Sequence, residues 1–530
     1  MILILLAIFS CVLGETLLTL DYGVFNGTIE NGLSVWRGVP FAEPPVGNLR
    51  FRAPRPPQPF TSVQQADKFG KSCIQFKEIR VYTSGLNETS EDCLYLNIWK
   101  PENSQNLPIL FWIYGGSFLG SSPSMDLYDG SRLVQHSNNS MIFVSANYRL
   151  GPLGFLSSEE VREDGDLNAG LLDQRMALEW VRRYAQAFGG DPTRVTVMGE
   201  SAGAVSIGFH LFSSTSKNET QSNTDMTLES RQRTTMQTLP QLPFDRAILS
   251  SGSPTSMYHC PSYRVYQSVY NELVKRVECS NASNTLDCLR NCDISLLRDV
   301  GKAMAKSMPL IFTFVPVVDG KYIAEGCAKL MSNQKLFRIP IIVGTNTNEG
   351  TGFTHDLPSN TTEKFYAAIN QMVPCASNSS LQDIARLYPE EAAIPKYETR
   401  ASMVFGDMLF TCPALELAKA YTPEVYKYRF NQALGIFGAT HGYDLLYTFL
   451  NTTGMSSAEV QLANTMTDYY ISFVKSGDPN TNTSHIKWPT YAAGEQIIFE
   501  AENVVLEKDL SDNEKCIFWS SFNNACSLFK

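Results

Sequence analysis

Residues 195–209 read Val-Thr-Val-Met-Gly-Glu-Ser-Ala-Gly-Ala-Val-Ser-Ile-Gly-Phe, a Gly-x-Ser-x-Gly pentapeptide between two apolar segments. Val195–Met198 has the composition of a buried strand, and Ala204–Phe209 that of the start of a helix. Glycines on both sides of Ser201 permit a sharp turn with strained backbone angles at the serine. Such a turn lifts the hydroxyl above the sheet, beside a helix N-terminus that favours negative charge. We therefore predict that Ser201 is a nucleophile rather than part of an ordinary glycine turn.

Apolar runs of strand length occur on both sides of this turn. They are Leu107–Ile113, Met141–Ala146, Ala247–Leu249, Ile339–Val343 and Val425–Phe430. The segment Leu171–Phe188 has apolar residues at intervals of three and four, which predicts an amphipathic helix. Strands that alternate with helices predict an α/β fold with a mostly parallel central sheet flanked by helices.

A serine hydroxyl needs a base at neutral pH, and the chain has six histidines from which to choose. His441 follows a strand and a glycine-rich loop late in the chain, in Gly438-Ala-Thr-His-Gly442. The other five lie in polar or loop-like segments, beside Cys260, or in the helix after the nucleophile. His441 is therefore the candidate base, although a lone histidine is more often structural.

The acid that orients this base is expected between Ser201 and His441, after another strand. Glu349 satisfies this in Gly344-Thr-Asn-Thr-Asn-Glu-Gly350, directly after the strand at 339–343. Asp319 is the rival, although Asp319-Gly320 is also typical of a plain turn. Backbone donors for an oxyanion are expected from the glycines in Trp112-Ile-Tyr-Gly-Gly-Ser-Phe118 and from the N–H of Ala202.

The first 14 residues form an apolar run too short to span a bilayer and typical of a signal peptide. The run lacks a preceding Lys or Arg, so a buried first strand is the alternative. Secretion is also favoured by nine Asn-x-Ser/Thr sequons, which begin at Asn26, Asn87, Asn138, Asn218, Asn281, Asn360, Asn378, Asn451 and Asn482. The secretory pathway is the expected location, with lysosomes and vesicles left open. No later stretch is apolar enough for a membrane span, and the C-terminus carries no retention or lipid-anchor signal.

Composition restricts the partners of the chain. Its 530 residues carry a net charge of −10, which disfavours nucleic acid or an anionic membrane. The 11 cysteines after the leader are scattered and fit a few disulfides rather than a zinc cluster, so we expect no metal and no cofactor. Residues 213–243 are polar and predict a mobile insertion in a single domain that spans 15–530.

Several segments resemble the type-B carboxylesterase and cholinesterase family. They are Gly38–Ala42, Glu91–Asn97, Gly170–Gln174, Phe188–Pro192 continuing to Gly203, and Cys516–Trp519. The resemblance covers nearly the whole chain and implies the α/β-hydrolase fold. It also implies a catalytic triad of Ser201, Glu349 and His441 and an oxyanion hole formed by Gly116, Ser117 and Ala202. Ser117 replaces the third glycine of the commonest family form, but it retains a backbone N–H.

The same resemblance implies three disulfides, Cys73–Cys93, Cys279–Cys288 and Cys412–Cys516. Five cysteines remain, which predicts one free or intermolecular thiol; they are Cys260, Cys292, Cys327, Cys375 and Cys526. Leu310 and Phe312 resemble acyl-pocket positions and favour a short to medium acyl chain, with a longer one not excluded. The loop between Cys73 and Cys93 has no tryptophan for a quaternary ammonium, so acetylcholine is not the expected substrate.

These observations predict a secreted serine carboxylesterase that acts on a small-molecule ester through an acyl-enzyme. The alternatives are a catalytically silent adhesion or storage protein on the same fold, and a peptidase. The sequence determines neither the physiological ester nor the oligomeric state.

Overall fold

The structure is a computed structural model, and it describes most of the chain. The leader at 1–14, residues 214–241 of the expected insertion, and Leu310 and Phe312 lie outside the described residues. The described ranges are 16–77, 84–213, 242–255, 261–307, 313–332, 338–354, 357, 359–374, 376–390, 398–421, 424–481 and 484–525.

Sixteen strands occur in the described residues. They are β1 Leu17–Leu20, β2 Gly23–Asn26, β3 Thr28–Glu30, β4 Leu33–Pro40, β5 Gln64–Gln65, β6 Ser72–Cys73, β7 Thr89–Ser90, β8 Tyr95–Pro101, β9 Leu107–Ile113, β10 Ile142–Ala146, β11 Gly190–Glu200, β12 Arg246–Ser250, β13 Ile341–Asn346, β14 Val425–Phe430, β15 Glu495–Phe499 and β16 Val505–Lys508.

The helices of the same residues fall mainly between the strands of the central sheet. They are α1 Gly130–His136, α2 Gly151–Phe155, α3 Glu159–Asp164, α4 Ala169–Tyr184, α5 Ala202–Ser213, α6 Gln267–Arg276, α7 Thr285–Asn291, α8 Ile294–Ser307, α9 Cys327–Ser332, α10 Thr351–Thr354, α11 Thr362–Met372, α12 Asn378–Leu387, α13 Arg400–Gly406, α14 Cys412–Ala420, α15 Asp444–Thr448, α16 Ser457–Ser476 and α17 Glu514–Ala525. A π-helical turn, Asp407–Thr411, joins α13 to α14, and short 3₁₀ turns occur at Gly47–Leu49, Asp126–Tyr128, Ala185–Phe188, Tyr263–Tyr266, Pro479–Thr481 and Tyr491–Ala493.

Eleven of these strands form one sheet in the order β16-β15-β14-β13-β12-β11-β9-β10-β8-β4-β3. Seven consecutive strands of this sheet are parallel to one another: β10, β9, β11, β12, β13, β14 and β15. The pairs outside them, β15 with β16 at one end and β10 with β8, β8 with β4 and β4 with β3 at the other, are antiparallel. Helices α4, α5 and α16 pack on β11. The α/β-hydrolase architecture, with a mostly parallel sheet flanked by helices, is therefore confirmed.

The six apolar runs singled out in the sequence all form strands of this sheet. Every residue of β10 and β13 is buried, because helices cover both faces of a parallel sheet. The helix expected at Leu171–Phe188 is α4, which buries Ala177, Trp180 and Val181 and continues into a 3₁₀ turn.

One stretch, Arg400–Ala420, is long and apolar enough by composition to cross a bilayer, so the expectation that no later stretch would qualify is wrong by this criterion. In the fold, 78% of the 18-residue apolar window within this stretch is buried inside the protein, as expected for a core helix. Its apolar character is accounted for by packing against the sheet, where α14 contacts β13 and β14.

Candidate active site

Ser201 lies at the sharp turn between β11 and α5. Its φ of 55° is in the left-handed region, which a non-glycine residue adopts only where the surrounding structure compensates the strain. Close backbone approach explains the two flanking glycines. A Cβ on Gly203 would lie 2.0 Å from the carbonyl oxygen of Ile113, and one on Gly199 would lie 2.6 Å from the carbonyl carbon of Gly203. The turn therefore needs a glycine on each side of the serine.

His441 and Glu349 form a short hydrogen bond below the surface. The imidazole Nδ1 is 2.6 Å from Oε2 of Glu349, whose side chain is about 1% exposed. The other carboxylate oxygen, Oε1, accepts the backbone N–H of Asn346 at 2.7 Å. The imidazole Nε2 is buried and makes no hydrogen bond, although a carboxylate oxygen of Glu200 lies 3.2 Å from it. One imidazole nitrogen is therefore held by a short hydrogen bond to Glu349, whereas the other has a carboxylate neighbour but is not committed to a hydrogen bond.

Two asparagines join the loop that carries Glu349 to the loop that carries His441. The N–H of Asn348 donates to the carbonyl of Ala439 at 2.9 Å, and the N–H of Ala439 donates to Oδ1 of Asn348 at 2.9 Å. Nδ2 of Asn346 donates to the carbonyl of Thr440 at 2.6 Å. Because these bonds flank both side chains, the backbone holds acid and base in contact.

Glu200 brings a second carboxylate to the same imidazole. Its Oε1 is 3.2 Å from Nε2 of His441, and its side chain is about 6% exposed. Burial raises the pKa of Glu200 to about 8. Burial alone would lower the pKa of His441, but the charges of Glu200 and Glu349 outweigh it and raise that pKa to about 9. The two groups therefore titrate as a coupled pair, and His441 loses its proton above the ordinary histidine range.

Gly115 lies against both Ser201 and the side chain of Glu200. A Cβ on Gly115 would lie 2.6 Å from Oε2 of Glu200 and 2.8 Å from the Cβ of Ser201. The glycine therefore allows the serine, its acidic neighbour and the loop after β9 to lie against one another.

The N–H groups of Gly116, Ser117 and Ala202 come from the loop after β9 and the first residue of α5. Gly116 and Ser117 have positive φ values of 103° and 60°. A Cβ on Gly116 would lie 2.3 Å from the carbonyl oxygen of Gly120, so only glycine fits there. Within the described part of the chain these three N–H groups have no hydrogen-bond acceptor, which leaves them free to bind an oxyanion.

The other described histidines are engaged away from the nucleophile. Nε2 of His136 and Nε2 of His485 each lie 2.9 Å from one carboxylate, that of Asp468. His210 is buried in α5 and bonds to Gln174 and Tyr322, and burial lowers its pKa to about 3. It therefore stays neutral as a structural group.

Comparison with known proteins agrees with this geometry. The sequence pattern described as the carboxylesterase family matches residues 14–519. The chain belongs to the carboxylesterase family. It is a carboxylic ester hydrolase of the serine type.

Four proteins illustrate the breadth of this family likeness. The para-nitrobenzyl esterase of Bacillus subtilis (strain 168) is 33% identical over 516 residues, which cover 93% of this chain and 96% of that protein. Lipase 2 of Geotrichum candidum is 31% identical over 529 residues and covers 88% of both chains. The crystal structure of Aspergillus niger EstA superposes with a TM-score of 0.83 at 28% identity, covering 97% of this chain and 99% of that one. The acetylcholinesterase of Danio rerio is also similar, 30% identical over 563 residues, which cover 92% of this chain and 84% of that protein.

The three implied disulfides are confirmed in this carboxylesterase: Cys73–Cys93, Cys279–Cys288 and Cys412–Cys516. Among the described residues, Cys292 is the free cysteine. Cys327 is also disulfide-bonded. The pairings of Cys260, Cys375 and Cys526 lie outside the described residues.

Asp319, the rival acid, lies in a turn. Its Oδ1 accepts the N–H groups of Lys321 and Ile323, and its Oδ2 accepts Nδ2 of Asn168 at 2.8 Å. These bonds account for Asp319 as a turn residue, as the Asp-Gly dipeptide indicated.

Sequence reasoning missed two groups that support His441. Asp444 is fully buried, accepts hydrogen bonds from Asn346 and Tyr428, and has a pKa raised to about 6, chiefly by burial. Its position three residues after His441 and directly before two leucines is a signal that could have identified it. Phe410 packs on the imidazole ring, but no local pattern distinguishes it from an ordinary core residue.

Proposed function

We propose that this carboxylesterase is a secreted enzyme that hydrolyses small-molecule carboxylic esters through an acyl-enzyme formed on Ser201. His441 acts as the general base, Glu349 orients it, and the N–H groups of Gly116, Ser117 and Ala202 bind the oxyanion. The observation that carries the proposal is the buried 2.6 Å contact between Nδ1 of His441 and Glu349, in an imidazole whose Nε2 makes no hydrogen bond and lies 3.2 Å from Glu200, the residue before the strained Ser201.

The reaction follows from these positions. The Ser201 hydroxyl attacks the ester carbonyl carbon while its proton passes to Nε2 of His441. The carboxylate of Glu349 holds Nδ1–H and stabilises the imidazolium that forms. The carbonyl oxygen becomes an oxyanion, which is bound by preorganised N–H groups. Collapse of the intermediate expels the alcohol, which takes the proton from His441, and water then cleaves the acyl-enzyme by the same route.

Secretion is supported by features of the described residues other than the leader. The asparagines of four sequons are exposed: Asn138, Asn281, Asn360 and Asn378. Three disulfides also favour an oxidising compartment. Asn87 is a poorer acceptor in the folded chain, because its Nδ2 donates to the carbonyl of Gly70 at 2.6 Å.

The test compares the wild type with Ser201→Ala on p-nitrophenyl acetate, butyrate and octanoate. Ser521→Ala is the matched control, because its exposed hydroxyl bonds only to the carbonyl of Ile517 within its own helix. We expect turnover by the wild type and the control and loss of at least about a thousandfold in Ser201→Ala. If folded wild type hydrolysed none of the esters, a silent adhesion or storage protein would replace this proposal.

A further inference from the structure

Two phenylalanines pack on the ring of His441. The ring centroid of Phe410 is 4.4 Å from that of His441 at an interplanar angle of 37°, and the ring of Phe353 is 5.1 Å away at 60°. Phe410 is about 5% exposed, whereas Phe353 is only partly buried. The closer and more deeply buried contact is therefore the one made by Phe410.

Phe410 lies in the π-helical turn Asp407–Thr411. The N–H of Cys412 bonds to the carbonyl of Asp407, five residues back. Pro413 explains the widening, because proline lacks the N–H that would bond to the carbonyl of Leu409 and its ring crowds that carbonyl. One additional residue in a turn rotates the preceding helix face by about 100° relative to the following one. The turn therefore gives Phe410 an orientation that a regular helix would not.

Hydrogen bonds and a disulfide connect the π-helical turn Asp407–Thr411 to the C-terminal helix α17. Oδ2 of Asp407 accepts the hydroxyl of Tyr388 at 2.8 Å, and Nε1 of Trp519 donates to that same hydroxyl at 3.0 Å. The disulfide Cys412–Cys516 joins the residue after the turn to the same helix. The position of Phe410 is therefore set by rigid contacts rather than by a mobile loop.

We propose that Phe410 is a positioning residue for the catalytic base: its ring fixes the plane of the His441 imidazole and stabilises the imidazolium that forms during acyl transfer. An aromatic face attracts a cation within about 6 Å of its centroid, and the attraction is greatest where water is excluded. The inference rests on the proposed role of His441 and extends it to a residue outside the hydrogen-bonded site.

The carboxylates around the imidazole allow the contribution of the ring to be isolated. Glu349 faces Nδ1 and Glu200 faces Nε2, and Asp444 adds a third negative charge from α15. Substitution of Phe410 by leucine leaves all three in place and keeps the site apolar. A change in the pKa of His441 then reports the lost aromatic face.

The experiment compares Phe410→Leu with Phe405→Leu. Phe405 is about 1% exposed, belongs to the same helical run, and packs on Phe353 at 5.0 Å rather than on the imidazole. For each protein, kcat, KM and the pH dependence of kcat/KM are measured with p-nitrophenyl butyrate, and thermal unfolding is recorded alongside. Titration of ¹³C-labelled histidine by NMR reports the pKa of His441 without requiring turnover.

In Phe410→Leu we expect the acid limb of kcat/KM and the NMR pKa of His441 to move down by roughly 0.5–1 pH unit. We also expect kcat to fall about tenfold with little change in KM, because the ring acts on the base and not on ground-state binding. Phe405→Leu should lose similar thermal stability but keep the wild-type limb and pKa.

An unchanged limb and kcat in Phe410→Leu, or an equal shift in Phe405→Leu, would overturn the inference. A wild type without esterase activity would remove the proposed function instead. The NMR titration would then still decide whether Phe410 stabilises the imidazolium, so the two failures are distinguishable.

Discussion

The contact between Glu349 and His441 leads to a quantitative prediction for Glu349→Gln. The carboxylate accepts two donors, Nδ1–H of His441 and the backbone N–H of Asn346. A glutamine of the same shape has one acceptor oxygen and a donor NH₂ group, so one of the two donors must face another donor. The substitution therefore removes the negative charge and disturbs the imidazole tautomer without opening a cavity.

The magnitude follows from the charges. An imidazolium and a carboxylate whose charge centres lie about 4 Å apart attract each other by about 4 kcal/mol at an effective dielectric constant near 20. The rates are compared above about pH 9, where His441 is neutral in the free enzyme. This attraction then develops only when His441 takes the serine proton, so it belongs to the transition state. A loss of about 4 kcal/mol corresponds to roughly a thousandfold decrease in rate. We expect kcat to decrease by this factor and KM to stay within about threefold.

The assay is steady-state hydrolysis of p-nitrophenyl acetate and butyrate, with thermal unfolding to verify folding. Glu507→Gln is the matched control, since this half-exposed carboxylate pairs with Arg429 at the edge of the sheet and should affect activity less than about twofold. Asp319→Asn tests the rival acid and should also remain active, because Asp319 bonds within its own turn. If Glu349→Gln kept more than about a tenth of the wild-type kcat, or if Asp319→Asn lost more, the assignment of the acid would be wrong.

Two further predictions concern the charge beside the base and the C-terminal disulfide. Glu200→Gln should shift the acid limb of the pH–rate profile to lower pH. The substitution removes a carboxylate that stabilises the imidazolium, so His441 stays neutral down to a lower pH. An acid limb that does not move would show that Glu200 does not influence the titration of His441. Cys412→Ser with Cys516→Ser opens a loop whose ends are 104 residues apart and should lower the free energy of unfolding by about 4–5 kcal/mol, read as an earlier denaturant midpoint. An unchanged midpoint would contradict the loop-entropy argument.

Much of the sheet could be predicted because its central strands carry a local signal. A strand covered on both faces is mostly apolar along its length, and the run that became β9 matches the observed bounds. The run that became β14 matches as well, although it contains Lys427 and Arg429. Five sheet strands were not singled out: β3, β4, β8, β15 and β16. Three of them are short and lie toward the ends of the sheet, where the solvent-facing residues of β3 and β16 interrupt the apolar pattern.

The nucleophile turn could also be predicted from the sequence, since its glycines and serine lie within five residues and the backbone strain is confined to Ser201. His441 was harder, because six histidines offered alternatives and only order along the chain favoured it. For Glu349 the residues alone left Asp319 open. The family resemblance favoured Glu349 over Asp319, and the structure supplies the contact between Glu349 and His441 that spacing could not.

The sequence by itself therefore determined the fold class, the strand-turn-helix unit around Ser201 and the residue types available for ester hydrolysis. The tertiary structure alone decided which groups meet. The carboxylate of Glu349 meets an imidazole 92 residues later because β13 and β14 are adjacent in the sheet and Asn346 and Asn348 join the loops that follow them. Phe410 meets the same imidazole because a proline and a disulfide shape its turn. Such contacts depend on strand order and packing, which produce no periodic pattern in the amino-acid sequence.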